Sequence, residues 1–168
     1  MKKLFCPWRN EYTTDTGNSK QENTTPDQCV FCQQFEHNTD NANFILKRTK
    51  NHIVILNRYP YNAGHLLVLP ITHTARLHTM TPKARAEFIE LCSASAKIVE
   101  ETLDAQGINI GMNLGKAAGA GIPSHLHMHI LPRWLGDTNF LPVFGATKQV
   151  SFDLTEIFNK LKPAFDAL

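Results

Sequence analysis

Three histidines, His125, His127 and His129, stand at alternate positions in the stretch SHLHMHILPRW (124–134), with Leu126, Met128 and Ile130 between them. On a strand, alternate side chains share a face, so the imidazoles would line one side and the apolar residues the core side. Neighbouring same-face positions lie roughly 6.6 Å apart and the outer pair about 13 Å. Two of these rings can reach one metal ion; three cannot without a sharp bend. A polar strand face that is merely rich in histidine is the alternative, and strict period two argues against it. Beside a two-histidine metal site, the sharper reading is nucleophilic. An imidazole with a pKa of ~6.5 keeps a neutral nitrogen at physiological pH. A hydrogen bond from one ring nitrogen to a backbone carbonyl would aim the other at a phosphorus or carbonyl centre. Flanking histidines would then bond the developing negative charge.

The loop ahead of the histidines, LGKAAGAGIPS (114–124), suits an anion. Gly115, Gly119 and Gly121 let backbone N–H groups come close to a phosphate. It is not a Walker motif, and alone it reads as a flexible loop. A second chemistry sits upstream in Cys29-Val30-Phe31-Cys32. One Cys-x-x-Cys pair is half a zinc site, a redox pair or two structural thiols, and the redox reading lacks the βαβ unit that it requires.

The elements that must position these groups follow from local patterns. FILKRT (44–49), HIVILN (52–57) and HLLVLP (65–70) are short branched runs bounded by Asn, Pro and Gly, which predicts three strands. Thr81-Pro82 is a helix start, and Phe88, Leu91, Cys92, Ser95, Val99 and Leu103 recur at helical spacing, with Gly107 as the expected stop. A strand at 108–113, the glycine loop and the histidine strand follow. A tail helix presents Leu154, Ile157, Phe158, Leu161 and Phe165 on one face, with Pro163 expected to kink or shorten it. The order predicts an α+β fold, an antiparallel sheet covered by one long helix and a C-terminal helix. Residues 1–28 read as an N-terminal arm and flexible loop, because 13–28 contain almost nothing apolar. The arm carries Phe5, Trp8 and Tyr12, which suggests that it docks, on the core of the domain at 29–168 ahead of a dimer contact.

The chain has 168 residues, one domain's worth, with 42% hydrophobic and 19% charged residues. Seventeen Lys and Arg against 15 Asp and Glu give a net charge of +2, which indicates neither a nucleic-acid nor a membrane surface. No apolar run reaches the ~18 residues of a membrane span, and MKKLFCPWRN, which meets Pro, Trp and Arg early, is not expected to act as a signal peptide. Four sparse cysteines suggest a reducing cytoplasm.

His125-Leu126-His127-Met128-His129, followed by two apolar residues, resembles the signature of the histidine triad superfamily. LNRYPYNAGHLLVLP (56–70) resembles that family's nucleotide-binding hairpin. NLGKAAGAGIPSHLHMHILPRWLGDTNF (113–140) is similar to the fragile-histidine-triad branch and its bacterial diadenosine-polyphosphate relatives. The resemblance implies a histidine triad fold and an enzyme that cleaves dinucleoside polyphosphates. His127 would attack the α-phosphorus, and water or phosphate would resolve the nucleotidyl-histidine. His129 would contact the α-phosphate with Asn113 beside it, Asn57 would hold the ribose, and His65 would support the triad. The phosphate cradle would involve Gly119, Gly121 and Ser124.

Family members with the cysteine pair bind structural zinc, which implies Cys29, Cys32, His73 and His125 as ligands and no organic cofactor. His37, His52 and His78 are expected to be solvent-exposed. Trp8, Arg9 and Trp134 are candidates to border the nucleotide. Phosphate-using relatives hold the acceptor with Gly and a hydroxyl residue, whereas this loop reads Ala120-Gly121-Ile122-Pro123 and offers only Ser124. Hydrolysis, phosphorolysis that releases ADP, and a nucleotide-binding signalling module with little turnover stay open. The resemblance also implies a homodimer.

Overall fold

The computed structural model describes residues 25–36, 39–138 and 152–168. The arm, His37, Trp8 and Arg9 therefore lie wholly or largely outside the described residues. Five strands, β1 (Ile45–Arg48), β2 (His52–Leu56), β3 (Leu66–Pro70), β4 (Gly107–Gly111) and β5 (Met128–Arg133), form one sheet in the order β1-β2-β3-β5-β4. Every neighbouring pair is antiparallel. Among the described residues three helices accompany it: α1 (Val30–Glu36), α2 (Pro82–Leu103) and α3 (Leu154–Asp166).

Alternation along the strands sorts the side chains between two faces. Val54, Leu56, Leu66, Val68, Met128 and Ile130 pack against Phe88 and Val99 of α2 and Phe158, Leu161 and Phe165 of α3. Ile45, Ile53, Ile55, Leu67 and Leu69 point the other way and meet Cys29 and Phe31. Each fully buried Leu, Ile or Phe contributes roughly 1.5–3 kcal/mol. The α+β expectation holds, with one addition. The short helix α1 covers the face opposite α2 and α3, where no helix was expected.

All six apolar-face residues predicted for α2 are buried. Its start is as expected, since Thr81 Oγ1 accepts the Ala84 N–H at 3.1 Å and Pro82 needs no acceptor. Its end is not. Asp104, at φ 51°, takes the left-handed cap position, and Gly107 opens β4 instead. An aspartate tolerates that conformation at small cost. Helix α3 runs through Pro163 to Asp166, capped by Asp153 Oδ1 on the Thr155 and Glu156 N–H groups.

The histidine stretch departs from the prediction most. Strand β5 begins at Met128, so His125, Leu126 and His127 precede it. The Leu126 N–H donates to Thr74 O at 2.6 Å rather than to a neighbouring strand. Nor is this a wet face: His125 and His127 are 1% and 6% exposed.

Candidate active site and metal centre

Cys29 precedes the first turn of α1 and Cys32 lies in it, His73 follows β3, and His125 lies ahead of β5. One ligand atom from each falls within 4.8 Å of every other. Cys29 Sγ is 3.3 Å and Cys32 Sγ 3.5 Å from His125 Nδ1, and Cys32 Sγ is 3.4 Å from His73 Nδ1. A tetrahedral ion bound by sulfur and imidazole nitrogen requires S···N edges of about 3.5 Å. His125 Nε2 donates to Pro70 O at 2.9 Å, which leaves a lone pair on the Nδ1 that faces the sulfurs. Burial, against the bond to Pro70 O, lowers the His125 pKa to about 4, so the ring is a neutral ligand. Burial also pushes the Cys32 thiol up to about 12, with Cys29 beside it adding to the rise. A cation is what would make these sulfurs thiolates. The four residues predicted as metal ligands are thus brought together, and they fit a tetrahedral divalent ion.

His127 is aimed from the same residue. Its Nδ1–H donates to His125 O at 2.8 Å, so the neutral ring carries its lone pair on Nε2. Burial lowers its pKa, opposed by that bond, and the base form is favoured. The rings of His127 and His129 are 5.0 Å apart. Phe31 packs against both His125 and His127, at 5.6 and 5.4 Å between ring centroids.

His129 is set through His65. The Tyr61 N–H donates to His65 Nδ1 at 3.1 Å, and the Asn57 amide approaches the same atom at 3.3 Å. The Tyr59 N–H on Asn57 Oδ1, at 3.0 Å, turns the Asn57 NH2 toward His65. His65 Nδ1 is therefore an acceptor, and its proton resides on Nε2, which donates to His129 Nδ1 at 2.9 Å. The His129 proton is then on Nε2, a donor. The Tyr61 ring lies against both, 4.7 Å from His65 and 6.0 Å from His129 between ring centroids. Asn57, expected to hold a ribose, is also a positioning residue for His65.

Strands β4 and β5 pair Gly111 with His129, and Asn113 follows two residues beyond Gly111. Asn113 Nδ2 donates to Gly119 O at 3.4 Å. The loop is less of a cradle than its glycines suggest. Gly115 and Gly119 take φ of 94° and 89°, which only glycine adopts readily, whereas Gly121 does not have positive φ. The N–H groups of Ala118, Gly119 and Ala120 are spent inside the turn, on Gly115 O, Lys116 O and Gly115 O. Ser124 is buried at 5% exposure, not presented at the surface.

Two other expectations fail. His52 is 2% exposed, its ring against Phe88 at 5.5 Å, because its position in β2 faces α2. Trp134 packs against the α2–α3 side of the core and donates from Nε1 to Asp104 O at 2.9 Å, so it belongs to the packing there. Sequence reasoning missed Tyr61, Phe31 and Thr74, whose roles are contacts across the fold. It also missed Asp137, which Arg133 and the Asn62 amide bind at 2.6 and 2.8 Å. The Arg133 guanidinium holds that carboxyl well below the usual carboxylate range. Through Asn62 the pair pins the hairpin at 57–65 to the end of β5.

The fold and the clustered histidines have counterparts among known proteins. The HIT domain family model matches residues 38–134, more than half of the chain. The AP-4-A phosphorylase of Mycobacterium tuberculosis is 29% identical over 150 residues, 89% of this chain and 77% of that protein. A bis(5'-nucleosyl)-tetraphosphatase (asymmetrical) of Schizosaccharomyces pombe is 32% identical over 93 residues, 55% of this chain and 50% of that protein. The crystal structure of a Zn-bound histidine triad family protein from Mycobacterium smegmatis superposes with a TM-score of 0.67 at 29% identity. It covers 85% of this chain and 96% of that one. The chain belongs to the HIT domain family, the histidine triad proteins.

Proposed function

We propose that this protein is an enzyme that cleaves dinucleoside polyphosphates, such as diadenosine triphosphate or tetraphosphate, at an α-phosphate. The observation that carries this reading is the pair of opposed tautomers: a lone pair on His127 Nε2 beside a proton on His129 Nε2. His127 Nε2 attacks the α-phosphorus, and the bond to the bridging oxygen breaks in line, its electron pair leaving with the nucleoside polyphosphate. His129 Nε2–H and the Asn113 amide stabilise the charge on the phosphoryl oxygens. Water then attacks the phosphorus, the P–N bond breaks, and neutral His127 and a mononucleotide are restored. Asn57 contributes to the ribose pocket, and Gly119, Gly121 and Ser124 form the wall behind the phosphates. The named activities of the mycobacterial and yeast relatives support this substrate class.

The acceptor has a second reading. The M. tuberculosis relative is a phosphorylase, which favours inorganic phosphate. The burial of Ser124, the only hydroxyl between 114 and 124, favours water. Incubation of the protein with diadenosine tetraphosphate, with and without phosphate, tests both. AMP is the expected product, and phosphate-dependent ADP would establish phosphorolysis. Cleavage matched by a His127→Asn control would overturn the assignment.

Zinc is our choice for the ion at Cys29, Cys32, His73 and His125; it would be structural, tying α1 and the segment after β3 to His125. No organic cofactor is part of the reading. We take the domain to run from residue 29 to residue 168, since Phe158, Leu161 and Phe165 complete the core. β4 is a sheet edge and Ile110 on it is half exposed. Pairing through this edge and α2 would give a homodimer. Among the described residues no helix is long and apolar enough to cross a membrane. Thiols that must ligate zinc suit a reducing cytoplasm, and with a charge of +2 neither nucleic acid nor a membrane is proposed as partner.

A further inference from the structure

The α-phosphate has its partners in His127 and His129, but a dinucleoside polyphosphate carries further phosphates, each charged. Arg76 is placed to receive them. It is exposed, and its guanidinium turns back over the glycine loop. A Cβ built on Gly115 would lie 3.6 and 3.7 Å from its two terminal nitrogens. Among the described residues no carboxylate pairs with it. An arginine that is neither buried nor paired contributes little to the fold.

Its backbone, by contrast, is firmly held. Thr79 Oγ1 donates to Arg76 O at 2.6 Å, and the Arg76 N–H donates to Thr74 Oγ1 at 3.4 Å. Thr74 O accepts the Leu126 N–H, between His125 and His127. At its tip, Arg76 meets Gly115, two residues beyond Asn113 in the loop that leads to the histidines. The root is thus tied to the segment that carries His127, and the tip lies over the glycine loop that precedes it. Lys116, exposed at the next position of the turn, adds a second cation. Three of the loop's N–H groups are committed inside the turn, and Arg76 and Lys116 bring cationic charge beside it.

We infer that Arg76 is a specificity-determining residue that binds the phosphates beyond the scissile α-phosphate, with Lys116 beside it. Its planar fork matches two phosphate oxygens at once, which a lysine cannot do. The inference rests on the proposed activity and adds to it a reason to prefer polyphosphate leaving groups.

The test compares diadenosine tetraphosphate with adenosine 5'-phosphoramidate, which presents the same α-phosphorus with no phosphates beyond it. In Arg76→Ala the ratio of the two kcat/KM values should fall by about tenfold or more, and Arg76→Lys should restore part of it. The fall should deepen from triphosphate to tetraphosphate. A purely structural role would lower both substrates together, and an unchanged ratio overturns the inference. If wild-type protein cleaves the phosphoramidate but no polyphosphate, the proposed activity itself fails. If it cleaves polyphosphate and the ratio does not move, only the assignment of Arg76 fails.

Discussion

His65 Nε2 lies 2.9 Å from His129 Nδ1, and the direction of that bond is fixed from the far side of His65, where the Tyr61 N–H and the Asn57 amide both meet Nδ1. Removing the donor should release the His129 tautomer. His65→Phe should lower kcat by about 10²-fold with a smaller change in KM, as for loss of a preorganised donor. Nitrogen NMR provides the direct check on the unaltered protein. A His129 ring protonated on Nδ1 would contradict the relay.

The metal centre carries the second prediction. The donor set fits a tetrahedral ion, and a ligand that binds only the folded chain stabilises it. Purified protein should contain about one zinc per chain. Stripping it, or substituting Cys32→Ser, should lower Tm by about 5 °C or more. Less than about 0.2 zinc per chain, with no response of Tm to chelators, would rule the centre out.

Asp137 tests the pin between the hairpin and β5. Its folded pKa is depressed chiefly by the Arg133 hydrogen bond, so its contribution is complete above the unfolded value, ~3.9, and is lost as pH falls through the folded one. Asp137→Ala removes the carboxylate that Arg133 and the Asn62 amide share and should cost about 1–3 kcal/mol in denaturant melts at neutral pH. A stability within error of wild type would show that the pin is dispensable.

His52 makes an acid-side prediction of its own. Burial lowers its pKa, opposed by Glu87, and among the described residues Nε2 has no hydrogen-bond partner. The unfolded chain takes up this proton at pH ~6.5, the folded one only at lower pH. Stability associated with His52 is therefore present above pH ~6.5 and lost as pH falls through the folded value. His52→Leu should weaken the loss between pH 7 and 5, with little cost at pH 7. An unaltered slope would exclude His52 as its source.

Much of the fold was readable because its signals are local. Branched runs between turn residues marked β1, β2 and β3, and Thr81-Pro82 with six spaced apolar residues marked α2. Helix α1 was not readable. Seven residues make no stable helix in isolation, and this one persists because Phe31 and Cys29 are buried against the sheet. The start of β5 was misread for a related reason. Alternation is the mark of a strand, but Thr74 and the ligand set override it at His125 and Leu126. His52 follows the same alternation into the core, where a solvent-exposed ring was expected. The proposed site residues came from spacing and resemblance. Tyr61, Thr74 and Arg76 act through contacts made by folding, so nothing in their immediate sequence marks them.

The contacts of Cys29 and Cys32 with His125 span 96 and 93 positions. During synthesis both thiols leave the ribosome long before that partner. For that interval they are exposed to oxidants and to stray metals, without the His125 ring that both sulfurs approach in the fold. The segment that carries His127 can take up these contacts only when most of the domain has been made. The yield of active protein should therefore depend on the redox state and zinc supply around the nascent chain, as well as on the stability of the finished fold.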